Sequence, residues 1–102
     1  MTRRVLVATM TVRRAELEAF RAFERIAARV MARHGGAIER TVVAPGTDDA
    51  TLREVHVVTF PDDAALAAYR ADPELGAARA LRERSVVSTE LLAGEDGPTY
   101  EP

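Results

Sequence analysis

The spacing of apolar positions changes repeatedly along this chain, and each change marks an element. From Arg4 to Val12 the residues are rich in Val, Leu and Thr and fit a strand. From Arg13 to His34 the period lengthens. Leu17, Phe20, Phe23, Ala27, Val30 and Met31 recur at three- and four-residue steps, which predicts one apolar stripe on a long helix. Gly35-Gly36 ends that helix, because glycine takes the left-handed conformation that follows helices at no steric cost. Ala37 to Ala44 alternates weakly and predicts a second strand, Pro45-Gly46-Thr47-Asp48-Asp49 is a turn cluster, and Leu52 to Phe60 is a third strand. Asp62 caps the next helix, which turns Leu66 and Tyr69 inward. Asp72-Pro73-Glu74 interrupts it: proline suits a first turn but not an interior, so Asp72 caps a further short helix carrying Leu75, Ala78 and Leu81. Val86 to Leu92 predicts a fourth strand, and the prolines, glycines and acids from Gly94 onward predict a loose tail. Residues 1–94 are thus expected to form one domain and 95–102 the tail.

The order of elements is βαββαβ, the ferredoxin-like pattern of the α+β class, with helices on one face of a four-stranded antiparallel sheet. Alternation along the strands fixes the two faces. In the first strand Leu6, Ala8, Met10 and Val12 share one side, and Val5, Val7, Thr9 and Thr11 the other. In the third, His56, Val58 and Phe60 oppose Val55, Val57 and Thr59. Phe60 leads straight into a helix that must fold back over it, so its side lies under the helices. The side bearing Val5, Val7, Val55 and Val57 has no cover within a chain this short. At ~25 cal/mol per Å2, covering several hundred Å2 there contributes roughly 10 kcal/mol before association costs. A homodimer pairing two sheets face to face is the expected solution.

Composition narrows the remaining possibilities. With 102 residues, 47% hydrophobic and 29% charged, the chain is of ordinary single-domain size and make-up. A net charge of −2 supplies no basic excess for nucleic acid. Cysteine is absent, which excludes disulfides, thiolate metal sites and cysteine nucleophiles. Thr9, Thr11 and Arg13-Arg14 break up the only apolar run near the start, so neither a signal peptide nor a membrane span is expected and a cytoplasmic location is. Every basic residue is arginine, and Asn, Gln and Trp do not occur.

His34-Gly35-Gly36, Thr59-Phe60-Pro61-Asp62, Tyr69, Asp72-Pro73-Glu74, Leu81-Arg82 and Ala93-Gly94 stand in the order and spacing of a known group. Over residues 4–94 the chain resembles the dimeric α/β-barrel superfamily, most nearly its small uncharacterised branch and more distantly the antibiotic biosynthesis monooxygenase-like proteins. The resemblance implies a homodimeric α/β barrel with a small apolar, aromatic or polyketide-like ligand and no cofactor. Relatives in that superfamily include cofactor-free monooxygenases, haem-degrading monooxygenases, muconolactone isomerases and proteins of no demonstrated activity. The haem-degrading type resembles an Asn, Trp and His set, and the quinone-forming type commonly shows Trp or Asn near its substrate; this chain has neither Asn nor Trp. In the uncharacterised branch the residue before Phe-Pro is often Glu, whereas here it is Thr59.

Candidate chemistry is sparse. His56, on a central strand, is the candidate catalytic residue: a general base for an acidic C–H or phenol. With no evident carboxylate or second histidine beside it, the plainer reading is a structural histidine. Thr9, Thr11 and Thr59 are candidate ligand-binding hydroxyls on the uncovered face, although threonine also simply suits strands. Glu90 is a candidate acid near them or else a solvated edge residue, and Tyr69 a candidate ligand contact at the helix–sheet border. His34 suits the C-terminal end of the helix dipole. Arg21, Arg25, Arg29 and Arg33 follow one another at four-residue steps and read as a solvated helix face. Histidines 22 positions apart on different elements make no metal site. The leading expectation is a small-molecule-binding protein with its ligand between sheet and helices. The alternatives are a cofactor-independent monooxygenase or isomerase, and a structural or regulatory homodimer whose barrel is filled by side chains.

Overall fold

The computed structural model describes residues 2–102. Strand β1 (Arg4–Arg13) passes through one 3-10 turn (Arg14–Glu16) into helix α1 (Leu17–Arg33). Strands β2 (Ala37–Pro45) and β3 (Thr51–Phe60) form a hairpin. Three short helices, α2 (Asp63–Arg70), α3 (Pro73–Ala77) and α4 (Arg79–Ser85), then lead to β4 (Val86–Gly94). All strand pairs are antiparallel, in the order β2-β3-β1-β4. This is the ferredoxin-like α+β arrangement expected from the element order. The helical start is later than the periodicity predicts, because the 3-10 turn takes up Arg14–Glu16. The segment after Pro73 is two helices rather than one, broken at Ala78.

Local chemistry accounts for the boundaries. Gly35 has φ +77°, and the amides of Gly35 and Gly36 donate to the carbonyls of Ala32 and Met31. That pair of bonds is the Schellman closure of a helix end. Asp62 accepts from the Ala65 amide (2.8 Å) and Asp72 from the Glu74 amide (2.9 Å), so both predicted caps form. The weak alternation in β2 has a cause. A bulge at Glu39, between Ile38 and Arg40, redirects that side chain to Arg3 (2.6 Å) and to the Thr59 hydroxyl, which donates to it (3.0 Å).

Side chains alternate across the sheet as predicted. On the helix side, Leu6, Phe23, Ala27, Met31, Val58, Phe60 and Ala78 form one buried cluster, and Met10, Val12, Phe20 and Leu52 form another. No helix covers the opposite side. It carries Val5, Val7, Val55, Val57, Val42 and Leu92, the last of these 71% exposed. The Cα trace spans 41 × 41 × 16 Å, a slab one sheet and one helix layer thick. The tail is less free than its composition implies, since Asp96 is ion-paired to Arg3 (2.7 Å). Among the described residues no helix is long and apolar enough to cross a membrane.

Candidate functional site

The two core clusters do not meet. Between them, on the helix side of the sheet, the strands present Glu54 and His56, and α1 presents Glu24. Ala8 pairs with His56 on one side and Leu91 on the other, so the middle of β1 contributes almost no volume there. A cavity of about 340 Å3 results. Its floor is Leu6, Ala8, Met10, His56, Val58 and Phe60, and its roof includes Phe23, Glu24, Leu66, Tyr69 and Leu75. The lining residues Arg70, Gly76, Arg79 and Leu91 are exposed and mark its mouth.

The polar groups form one chain of contacts. Arg21 pairs with Glu54 Oε2 at 2.5 Å, and Glu54 Oε1 lies 2.8 Å from His56 Nε2. A carboxylate held by a guanidinium is an acceptor, so Nε2 carries the proton in that bond. The other ring nitrogen, Nδ1, faces Glu24 Oε2 at 3.4 Å, a loose contact for a hydrogen bond. His56 and Glu54 are almost wholly buried, whereas the Glu24 side chain keeps 15% of its surface. Burial raises the Glu24 pKa above its ordinary 4.5, the nearby Glu54 charge adds to this, and His56 opposes it. The Tyr69 ring packs on Phe60 (5.2 Å between centroids), and burial, then the Glu24 charge, pushes its hydroxyl up to about 12. Every buried side-chain polar atom among the described residues has a hydrogen-bond partner.

The candidates named from sequence therefore separate. His56 and Tyr69 line the cavity. The expectation that His56 lacks a carboxylate is corrected: it has two, one across the helix–sheet interface and one two residues along its own strand. Thr9, Thr11 and Thr59 lie on the open face, away from the cavity, with Thr59 committed to Glu39. Glu90 also faces that side, beside Thr9 in a shallow depression bordered by Val7, Leu91 and Leu92. His34 packs its Nε2 against Asp72 Oδ2 at 2.9 Å. The arginine ridge of α1 is solvated, as expected, and largely ion-paired as well: Arg21 holds Glu54, Arg29 holds Glu74, and Arg33 spans Asp72 and Glu74. Glu24 and Glu54 were missed, yet each carried a signal. Glu24 falls inside the apolar stripe, between Phe20, Phe23 and Ala27, and Glu54 occupies a core-facing step of β3 between Leu52 and His56. Among the described residues no group of three or more His, Cys, Asp or Glu side chains is arranged to hold a metal ion.

No family model and no curated protein matches the sequence. Solved structures do. The chain is similar to a protein of unknown function from Rhodopseudomonas palustris (TM-score 0.79, 19% identity, covering 96% of this chain and 85% of that one). It is similar to SnoaB, a cofactor-independent oxygenase from Streptomyces nogalater (TM-score 0.70, 20% identity, 97% of each chain). It is also similar to a suspected antibiotic biosynthesis monooxygenase from Nitrosomonas europaea (TM-score 0.67, 19% identity, 97% of this chain and 92% of that one). At these identities the likeness shows the fold.

Proposed function

We infer that the fold is the subunit fold of the dimeric α/β-barrel superfamily, shared with monooxygenase-like proteins, and it frames what the cavity can do. We propose that this protein binds a small, largely apolar ring system between its sheet and helices and removes a proton from it. The observation that carries the reading is that Glu24 in the roof and His56 in the floor of a mostly apolar cavity face each other, with Glu54 and Arg21 holding His56 from behind.

The roles follow from access. Both His56 nitrogens face carboxylates, so the group that can reach a ligand is Glu24. A carboxylate whose pKa burial has raised is a stronger base than a solvated one and works closer to neutral pH. Nδ1 of His56 lies beside Glu24, placed to take a proton from it while Glu24 exchanges another with the ligand. Glu54, itself fixed by Arg21, keeps the imidazole oriented. In this reading Glu24 is the catalytic residue and His56 a positioning and proton-holding residue, which revises the expectation of His56 as the base. Abstraction of an acidic C–H or phenolic proton is the first step of both isomerisation and cofactor-independent oxygenation. SnoaB, of the same fold, is an oxygenase of that second kind.

The open face supports the homodimer as part of the proposal. Val5, Val7, Val42, Val55, Val57 and Leu92 form an apolar stripe with no cover in the subunit, and the natural complement is the same stripe on a second copy. A purely structural or regulatory dimer is the less favoured alternative, because the helix-side cavity has room for a small molecule.

The direct test is hydrogen exchange of 2-tetralone at its benzylic α-carbon in D2O, followed by NMR. The protein should speed exchange over buffer, and Glu24→Gln should cut the acceleration by about 100-fold or more. Exchange no faster than in buffer, or equal rates in the variant, would remove proton abstraction and leave binding alone.

A further inference from the structure

Most arginines in this chain are spoken for. Of the fourteen, only Arg25, Arg40, Arg70 and Arg79 donate to no side chain or carbonyl among the described residues. Arg25 and Arg40 lie away from the cavity. Arg70 and Arg79 both line it, at the last turn of α2 and the first residue of α4, where the lining becomes exposed. Two free guanidiniums therefore stand at one mouth, in a protein that engages ten of its fourteen arginines.

Behind them the walls change character. Leu66, Leu75, Phe60, Val58 and Ala8 offer only apolar surface, so a ligand reaching inward loses its water there. Arg82 also lines the cavity. Its Nη2 donates to the Thr89 hydroxyl at 2.6 Å, and its positive charge acts on Glu24 and Tyr69. A neutral ligand would use the apolar walls and leave both rim guanidiniums idle.

Resting on the reading of this cavity as a ligand site, we propose that its ligand is an aromatic acid. The ring sits among the apolar walls and the carboxylate is held at the mouth by Arg70 and Arg79. The planar guanidinium fork matches a carboxylate in two parallel hydrogen bonds, which a point charge would not select for. The anion then sets the ligand's depth and direction. It keeps the ring's opposite edge toward Glu24 and His56, and like-charge repulsion from Glu24 disfavours the reversed pose.

The experiment uses a matched pair of fluorescent probes, 2-naphthol and 3-hydroxy-2-naphthoate, which share a ring and a hydroxyl and differ by the carboxylate. The protein has no Trp, so probe emission is read cleanly. The naphthoate should bind about tenfold more tightly than the naphthol at low salt, and the preference should shrink as salt screens the rim. Arg70→Ala with Arg79→Ala should bring the ratio near one; both residues are exposed, so the variant keeps its fold. Arg70→Lys with Arg79→Lys should retain part of the preference, and Arg25→Ala with Arg40→Ala all of it. Equal affinities for the two probes in the unaltered protein would overturn the inference while leaving the cavity as a binding site. A preference that survives loss of Arg70 and Arg79 would do the same. Binding of neither probe would overturn the cavity reading and this inference with it.

Discussion

Glu24 shows how one residue can belong to a helix pattern and still break it. It lies on the apolar stripe of α1, where a leucine would pack well, and it lies across from His56 instead. An acid whose pKa is higher folded than unfolded binds its proton more tightly in the folded state. Stability is then fullest below pH 4.5 and declines as pH climbs through the raised value. Urea unfolding across a pH series should show that decline in the unaltered protein and a flatter profile in Glu24→Gln. Identical profiles would place Glu24 in water rather than in the cavity. Gly36 offers a separate test. A Cβ built there would run into the Phe60 ring, and Phe60 is almost wholly buried. Gly36→Ala should therefore cost about 2 kcal/mol by overpacking, measured as a lower urea midpoint at unchanged m. The sequence announced Gly35-Gly36 as a stop but gave no sign that the second glycine also makes room for an aromatic ring, since that contact joins residues 24 positions apart.

Among the elements, the strands and α1 were readable and the α2–α4 stretch only partly so. β1 and β3 are long runs rich in Val, Leu and Thr, and the Schellman closure of α1 was written in its glycines. The α2–α4 stretch has short helices and few buried side chains, so periodicity had little length in which to show itself. Apolar side chains, Ala78 foremost, pack this stretch on α1, and an ionic cluster adds to that hold. Asp72 caps α3 and meets His34 and Arg33, while Glu74 meets Arg29 and Arg33. The bond to His34, then the Glu74 amide and Arg33, lower the Asp72 pKa from 3.8 to about 2. That contribution to stability is complete above pH 3.8 and disappears as pH falls toward about 2. Circular dichroism over this range should show Asp72→Asn already weakened at neutral pH and less sensitive to further acid. Equal acid sensitivity in both proteins would mean the ionic cluster does not hold the stretch in solution. The cap was legible in Asp-Pro-Glu; the arginine partners were not, because they come from α1, far back along the chain.

At the scale of the whole molecule, the 16 Å slab is the fact that most constrains assembly. One side is roofed by helices and the other is an apolar stripe, which the face count along β1 and β3 anticipated. The sequence reading put a ligand between sheet and helices but drew three of its contacts, Thr9, Thr11 and Thr59, from the open side. Counting faces cannot reveal a gap between two core clusters, and the threonines on the open side drew attention away from it. Sedimentation should find a species of about twice the 11.1 kDa chain mass. Leu92→Arg should shift it toward the single chain, because Leu92 is 71% exposed and its loss leaves the subunit core untouched. An unaltered protein that stays single at micromolar concentration would end the homodimer proposal. A slab this thin also has no inert middle. Val7 and Ala8, or His56 and Val57, are neighbours on one backbone that look in opposite directions, so whatever stiffens the strands from one side sets the posture of the side chains on the other. In a pair of such slabs, guest and twin become thermodynamic correspondents: a molecule lodged under the helices should tighten the grip between copies by the same factor that the grip tightens its hold on the molecule.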